Sequence, residues 1–182
     1  MKKAILIALA LLTAVPVPLA RAAEPVNLLI SGGRENNGFH ISLSADGRNY
    51  LILSTVPLEV GGNLCEHPEE VPTELSCTAP AIAGFEVNSG GGGDSVFFTS
   101  DITVPVTVRG GVGNDRLYGG GGADKLVGGP DDDLLVGRRG SDWILGGPGR
   151  DRLLGGPGND QLRGGPGKDK LNGGPGQNQL IP

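Results

Sequence analysis

From Gly110 to Ile181 the chain places one aliphatic residue at a fixed point in every nine. These residues are Leu117, Leu126, Leu135, Ile144, Leu153, Leu162, Leu171 and Leu180. Each is the middle of a three-residue segment, long enough for one very short strand with a single inward side chain. Each segment follows six residues rich in glycine, which reaches positive φ at no steric cost and so permits a tight turn. Turn and strand then alternate, two nonapeptides make one 18-residue coil, and coils stack at the strand spacing of about 4.8 Å. A fixed period of this kind decides the architecture before any other signal. The predicted class is all-β: a parallel β-roll, or β-solenoid, with two nonapeptides per coil and a small N-terminal β segment.

Upstream, the pattern changes to period two. Val26–Ile30, Phe39–Ser44 and Tyr50–Ser54 are β-forming runs, with Asp46-Gly47 as a turn signal between the last two. They fit either a hairpin or early coils of the solenoid, the latter being preferred. His40 alternates with Phe39 and Ile41 and is expected to face solvent. Residues 89–97, SGGGGDSVF, are a degenerate nonapeptide with Asp94 at the sixth place and Val96 at the eighth. Ile102–Val108 is a strand leading into Gly110. The organisation expected is therefore 1–22 as a leader, 23–88 as the β-rich segment, and 89–182 as the roll.

The chemistry of the repeat lies in its turns. Stacking sets each turn above the one two units later, so the gaps are lined by carbonyls and by the sixth-position carboxylates. Such hard oxygens suit calcium, which takes six to eight of them. The eight units GGVGNDRLY, GGGGADKLV, GGPDDDLLV, GRRGSDWIL, GGPGRDRLL, GGPGNDQLR, GGPGKDKLN and GGPGQNQLI resemble the RTX calcium-binding nonapeptide family. The resemblance implies calcium held by Asp115, Asp124, Asp133, Asp142, Asp151, Asp160 and Asp169, with Asp94 in the degenerate unit. Carbonyls of the turns starting at Gly110, Gly119, Gly128, Gly137, Gly146, Gly155, Gly164 and Gly173 complete the ligand set. One stack holds the turns at Gly110, Gly128, Gly146 and Gly164, and the other those at Gly119, Gly137, Gly155 and Gly173. Three gaps per stack give up to about six ions. The order of cysteine pair, GGGGDSV, ITVPVTV and repeats also resembles exported bacterial calcium-binding proteins of this type.

Three departures stand out. Asp131 replaces the fourth-position glycine of the third unit, adding carboxylate density beside Asp132 and Asp133. Arg138 and Arg139 bring positive charge to the fourth unit and are expected to weaken the gaps around its turn. Asn178 replaces the final aspartate. Proline occupies the third place in five units, lowering the entropy of the unfolded chain at the loss of an N–H the turn must not need.

Composition narrows the function classes. With 34 Gly, 14 Pro and 4% aromatic residues, apolar burial alone is marginal, so bound ions must supply part of the folding free energy. The main competing reading of such a composition is disorder, against which stands the sixth- and eighth-place pattern. From Ala23 to Arg109 there are eleven acids and three bases, whereas the repeat block has nine of each, and neither is basic enough for nucleic acid. Lys2-Lys3, the apolar Ala4–Ala14 and the small residues ending at Ala22 read as a secretory leader, too short to span a bilayer. Cys65 and Cys77, the only cysteines, read as a disulfide in an exported chain; a zinc site with His67 is the alternative and lacks a fourth ligand. No HExxH, GxSxG or phosphate loop occurs, so no enzyme is expected. The expected function is a secreted calcium-binding roll that folds on meeting extracellular calcium. The alternative is an adhesion or matrix protein using the coil as a rigid spacer, with outer stripes (Tyr118, Leu134, Val136, Leu154 on one face; Val127, Trp143, Leu145, Ile181 on the other) facing an unidentified partner.

Overall fold

A computed structural model of the chain describes residues 26–45, 47–55, 65–66, 74–78 and 82–182. The leader and His67 lie outside the described residues. Every regular element among the described residues is a strand. No helix among them is long and apolar enough to cross a membrane.

Two sheets form the walls of the coil. The first runs β1 (Val26–Ser31), β6 (Ile82–Gly91), β8 (Val106–Val112), β10 (Lys125–Val127), β12 (Trp143–Leu145), β14 (Gln161–Arg163) and β16 (Gln179–Ile181), in that order. All its pairs are parallel. The second contains β2 (Gly38–Leu43), β7 (Ser95–Phe98), β9 (Arg116–Tyr118), β11 (Leu134–Val136), β13 (Arg152–Leu154) and β15 (Lys170–Asn172), again parallel. It is extended beyond β2 by β3 (Asn49–Ser54), β5 (Glu74–Thr78) and β4 (Cys65–Glu66), all antiparallel.

The two sequence readings of the N-terminal segment therefore each describe part of it. Strands β1 and β2 continue the solenoid, while β2 and β3 also form a hairpin that starts an antiparallel extension. His40 is exposed between buried Phe39 and Ile41, as expected.

The core follows the nonapeptide. Leu117, Leu126, Leu135, Ile144 and Leu153 are fully buried, one per short strand. Leu171 is only partly buried, and Leu180, expected inside, is 46% exposed. Both stand on edge strands, β15 and β16, which have a neighbour on one side only. Towards the N-terminus the core widens into aromatic packing, with Tyr50, Phe85 and Phe98 meeting edge to face at 4.9 and 5.3 Å.

One of the two expected outer stripes is continuous, whereas Arg163 stands between Leu145 and Ile181 in the other. Tyr118, Val136 and Leu154 align across β9, β11 and β13, and Val127, Leu145 and Ile181 lie on the other sheet with Trp143.

Candidate metal centre

The turns between strands fall on two edges. One edge holds those at 89–94, 110–115, 128–133, 146–151 and 164–169; the other holds those at 119–124, 137–142, 155–160 and 173–178. Stacking within an edge is fixed by backbone hydrogen bonds between coils. The second amide of a turn donates to the first carbonyl of the next coil, as Gly111 does to Gly128 (2.9 Å). The fourth amide donates to the third carbonyl, which is why proline fits the third place. Gly140 donates to Pro157 and Gly149 to Pro166 in this way.

This packing explains the glycines where they matter. At Gly137, a first-place residue, an added Cβ would come within 2.2 Å of Asp142 Oδ2, so the carboxylate folds beneath a position that must stay bare. At Gly156, a second-place residue with φ +112°, it would come within 1.8 Å of the Arg138 carbonyl.

Six of the sixth-position carboxylates are built in alike. Oδ1 accepts the backbone N–H of the aspartate one coil earlier: Asp115 from Asp94, Asp133 from Asp115, Asp142 from Asp124, Asp151 from Asp133, Asp160 from Asp142 and Asp169 from Asp151, all at 2.8–2.9 Å. Each carboxylate thus lies in the slot between its own turn and the one before. The other oxygen has no such partner. Oδ2 of Asp94, Asp115, Asp133, Asp142, Asp151 and Asp160 is buried without a hydrogen bond. A buried, unpartnered carboxylate oxygen is costly unless a cation meets it.

The electrostatics agree. Burial pushes Asp133 and Asp142 up to about 7 and Asp115 up to about 6. Asp151 and Asp160 are raised by the same cause. Neighbouring carboxylates add to the rise at Asp133, where Asp115, Asp151 and Asp131 all contribute. Among the described residues, no three His, Cys, Asp or Glu side chains converge as a metal-ligating group. Any ion held here therefore depends on backbone carbonyls for most of its shell. The donors present, isolated carboxylates amid stacked carbonyls, fit a hard cation that takes many oxygens, which calcium does.

Not every expected ligand has the same surroundings. Asp124 has both oxygens satisfied, by Val106 N–H (3.0 Å) and Gly120 N–H (2.7 Å). Asp169 is only partly buried. Asn178 keeps the shared geometry, its Oδ1 accepting from Asp160 N–H, but its amide donates to the Gly174 carbonyl (2.8 Å). Asp131, with φ +84°, takes the glycine-like conformation of the place it occupies.

One member of the ladder was missed in the sequence. Asn37 is buried, donates its N–H to Asp94 Oδ1 (2.6 Å), and sits where a sixth-position residue would. Residues 32–40, GGRENNGFH, are a further degenerate unit, with Gly32 and Gly33 first, Asn37 sixth and Phe39 eighth. Register confirms the alignment, since Phe39 pairs with Val96 and Ile41 with Phe98. Glycines at the first two places, an amide at the sixth and an apolar residue at the eighth were the available signal.

The coil belongs to the β-rolls, in which stacked glycine turns hold inward carboxylates in oxygen-lined slots. Residues 109–180 match the family model of the RTX calcium-binding nonapeptide repeat, in overlapping segments 109–144, 127–162 and 145–180. The repeat block is thus similar to the RTX calcium-binding nonapeptide repeat along its whole length. No curated protein and no solved structure matches the chain.

Proposed function

We propose that this protein is a secreted, non-enzymatic calcium-binding β-roll whose repeat block folds on binding extracellular calcium. The observation that carries the reading is the set of six buried carboxylate oxygens left without a hydrogen-bond donor. In a calcium-free coil these charges repel and lack solvation. Bound calcium supplies the compensating charge, and binding to the folded state alone becomes folding free energy. The side-chain ligands are Asp94, Asp115, Asp133, Asp142, Asp151 and Asp160, with Asp169 at the more open end, and up to about six ions are held. Modules of this weak extracellular class have Kd of about 10⁻⁴–10⁻³ M, so the chain stays loose at cytoplasmic calcium and closes outside.

The N-terminal leader, cleaved near Ala22, supports export. A disulfide between Cys65 and Cys77 fits both that compartment and the backbone, since the two residues stand directly opposite in the antiparallel β4–β5 pair. Opposed residues in such pairs have Cα atoms about 4.5–5.5 Å apart, within disulfide reach.

Calcium titration calorimetry with far-UV circular dichroism tests the reading. The expected outcome is a β-signal that appears with calcium, with up to about six ions per chain. A β-signal indifferent to chelator overturns it. The outer stripe running through Tyr118, Val136 and Leu154 keeps a second reading in view, a calcium-rigidified spacer bound to a matrix partner.

A further inference from the structure

Arg138 occupies the second place of the fourth turn, where the other repeats carry glycine. Its backbone takes φ +77°, a left-handed conformation that strains a non-glycine residue. Strain of that kind points to something the side chain does. The sequence pattern suggests interference with the gaps around its own turn. Instead, the side chain runs back along the coil. Its guanidinium stacks over the Phe97 ring at 4.3 Å and the Tyr118 ring at 5.6 Å. It donates to the carbonyl of Phe98 and to that of Gly119 at 3.0 Å.

Those two carbonyls have a defined place in the repeat. Phe98 and Gly119 follow the paired residues Phe97 and Tyr118, so the end of β7 lies level with the first residue of the 119–124 turn. The slot between them is the one that Asp124 enters, because Asp124 Oδ1 reaches back to Val106 N–H. Arg138 and Asp124 are electrostatically coupled, each favouring the charged form of the other.

The Asp124 turn is also refolded. The second residue is left-handed at Gly111, Gly129, Gly147, Gly156, Gly165 and Gly174, but not at Gly120. Gly120 turns its N–H onto Asp124 Oδ2 instead. Asp124 is thereby the one fully buried repeat aspartate without an orphaned oxygen. The wall facing this turn is 99–105, which is not a nonapeptide, and Gly121 N–H is tied to its Ile102 carbonyl at 2.7 Å.

We infer that Arg138 is a built-in cation that replaces calcium in the slot between residues 99–105 and the 119–124 turn, where it occupies the carbonyls of Phe98 and Gly119. The assignment rests on the calcium-binding reading of the neighbouring slots. It makes the coil start on this edge with a permanent charge, independent of ion concentration. A guanidinium suits the role because it stays charged when partly buried, spreads several donors in a plane, and stacks on aromatic rings.

Calcium stoichiometry of the full chain, by calorimetry and by metal analysis after dialysis, tests this. Asp124→Asn is expected to bind as many ions as wild type, whereas Asp142→Asn binds fewer. Arg138→Gly restores the repeat pattern and is expected to bind one ion more, a gain that adding Asp124→Asn removes. Loss of an ion in Asp124→Asn alone, or no gain in Arg138→Gly, overturns the assignment. Should either variant fail to fold in calcium, a calcium-loaded crystal structure of wild type decides by whether metal or guanidinium fills the slot. Absence of calcium uptake by wild type overturns the binding reading together with this one, while uptake by wild type with metal in the Asp124 slot overturns this one alone.

Discussion

The two edges of the coil are made from the same nonapeptide, yet they differ in how their carboxylates are compensated. One edge carries Asp94, Asp115, Asp133, Asp151 and Asp169 in unbroken succession, each holding the amide of the turn before or, for Asp94, that of Asn37. The other carries Asp142 and Asp160 between two substitutes, Asp124 with its arginine and Asn178 with its self-bonded amide. Asparagine keeps the structural half of the aspartate, the oxygen that accepts an amide, and replaces the orphaned half with a donor. The comparison separates two jobs fused in one residue type: Oδ1 sets the stacking and Oδ2 creates the demand for a cation. Where the second job is absent, the sequence supplies nitrogen.

Both edges share the aliphatic stack between them, which should be indifferent to the ions. Leu135→Ala and Ile144→Ala, one on each sheet and each fully buried, are expected to cost about 2–5 kcal/mol apiece. Denaturant midpoints in saturating calcium would measure this, and similar losses are expected for both. A large difference would mean that one edge, not the shared core, dominates stability.

Acidity probes the carboxylates of both edges directly. In calcium-free protein, burial raises Asp133 and Asp142 to about 7 and Asp115 and Asp124 to about 6, against 3.8 for an ordinary aspartate carboxyl. Between these limits the folded state holds more protons than the unfolded one. Stability of the calcium-free coil therefore rises as pH falls from about 7 towards 4, and is lost as pH climbs back. Calcium reverses the sign, because the ligands must be deprotonated to bind and protons compete with the ion. Circular dichroism across that range, with and without chelator, should give opposite slopes. Asp133→Asn, which removes a charge pressed by three neighbouring carboxylates, should flatten the calcium-free slope more than Asp124→Asn, whose charge Arg138 already offsets.

Much of this was legible from residue order. The nine-residue period located every short strand of the repeat block, the eighth-place aliphatics as its core, and the sixth-place aspartates as its inward acids. Other features depended on contacts that spacing does not reveal. Asn37 escaped because its unit is separated from the next turn by the β3–β5 extension, so the period is broken although the coil is not. Arg138 looked like a perturbation of its own turn because its reach, two coils back to Phe98, depends on a side-chain direction set by φ +77°. Leu180 fits the pattern but not the core, since periodicity reports the face of a strand and not whether a neighbour covers it.

The smallest expected effect comes from undoing one of the nitrogen substitutes. Asn178→Asp retains the oxygen that accepts Asp160 N–H (2.9 Å) but removes the amide that donates to the Gly174 carbonyl. The residue is only partly buried, so water recovers part of what is lost, and the cost to the calcium-free protein should stay near the net value of one hydrogen bond, about 0.5–1.5 kcal/mol. The same change at a buried place would be far more costly, because a carboxylate oxygen there cannot turn to solvent. Chemical denaturation in chelator measures the difference. If Asn178→Asp destabilised the calcium-free coil as much as Leu135→Ala does, the distinction between an oxygen that stacks and an oxygen that demands an ion would fail at the one turn where it is easiest to isolate.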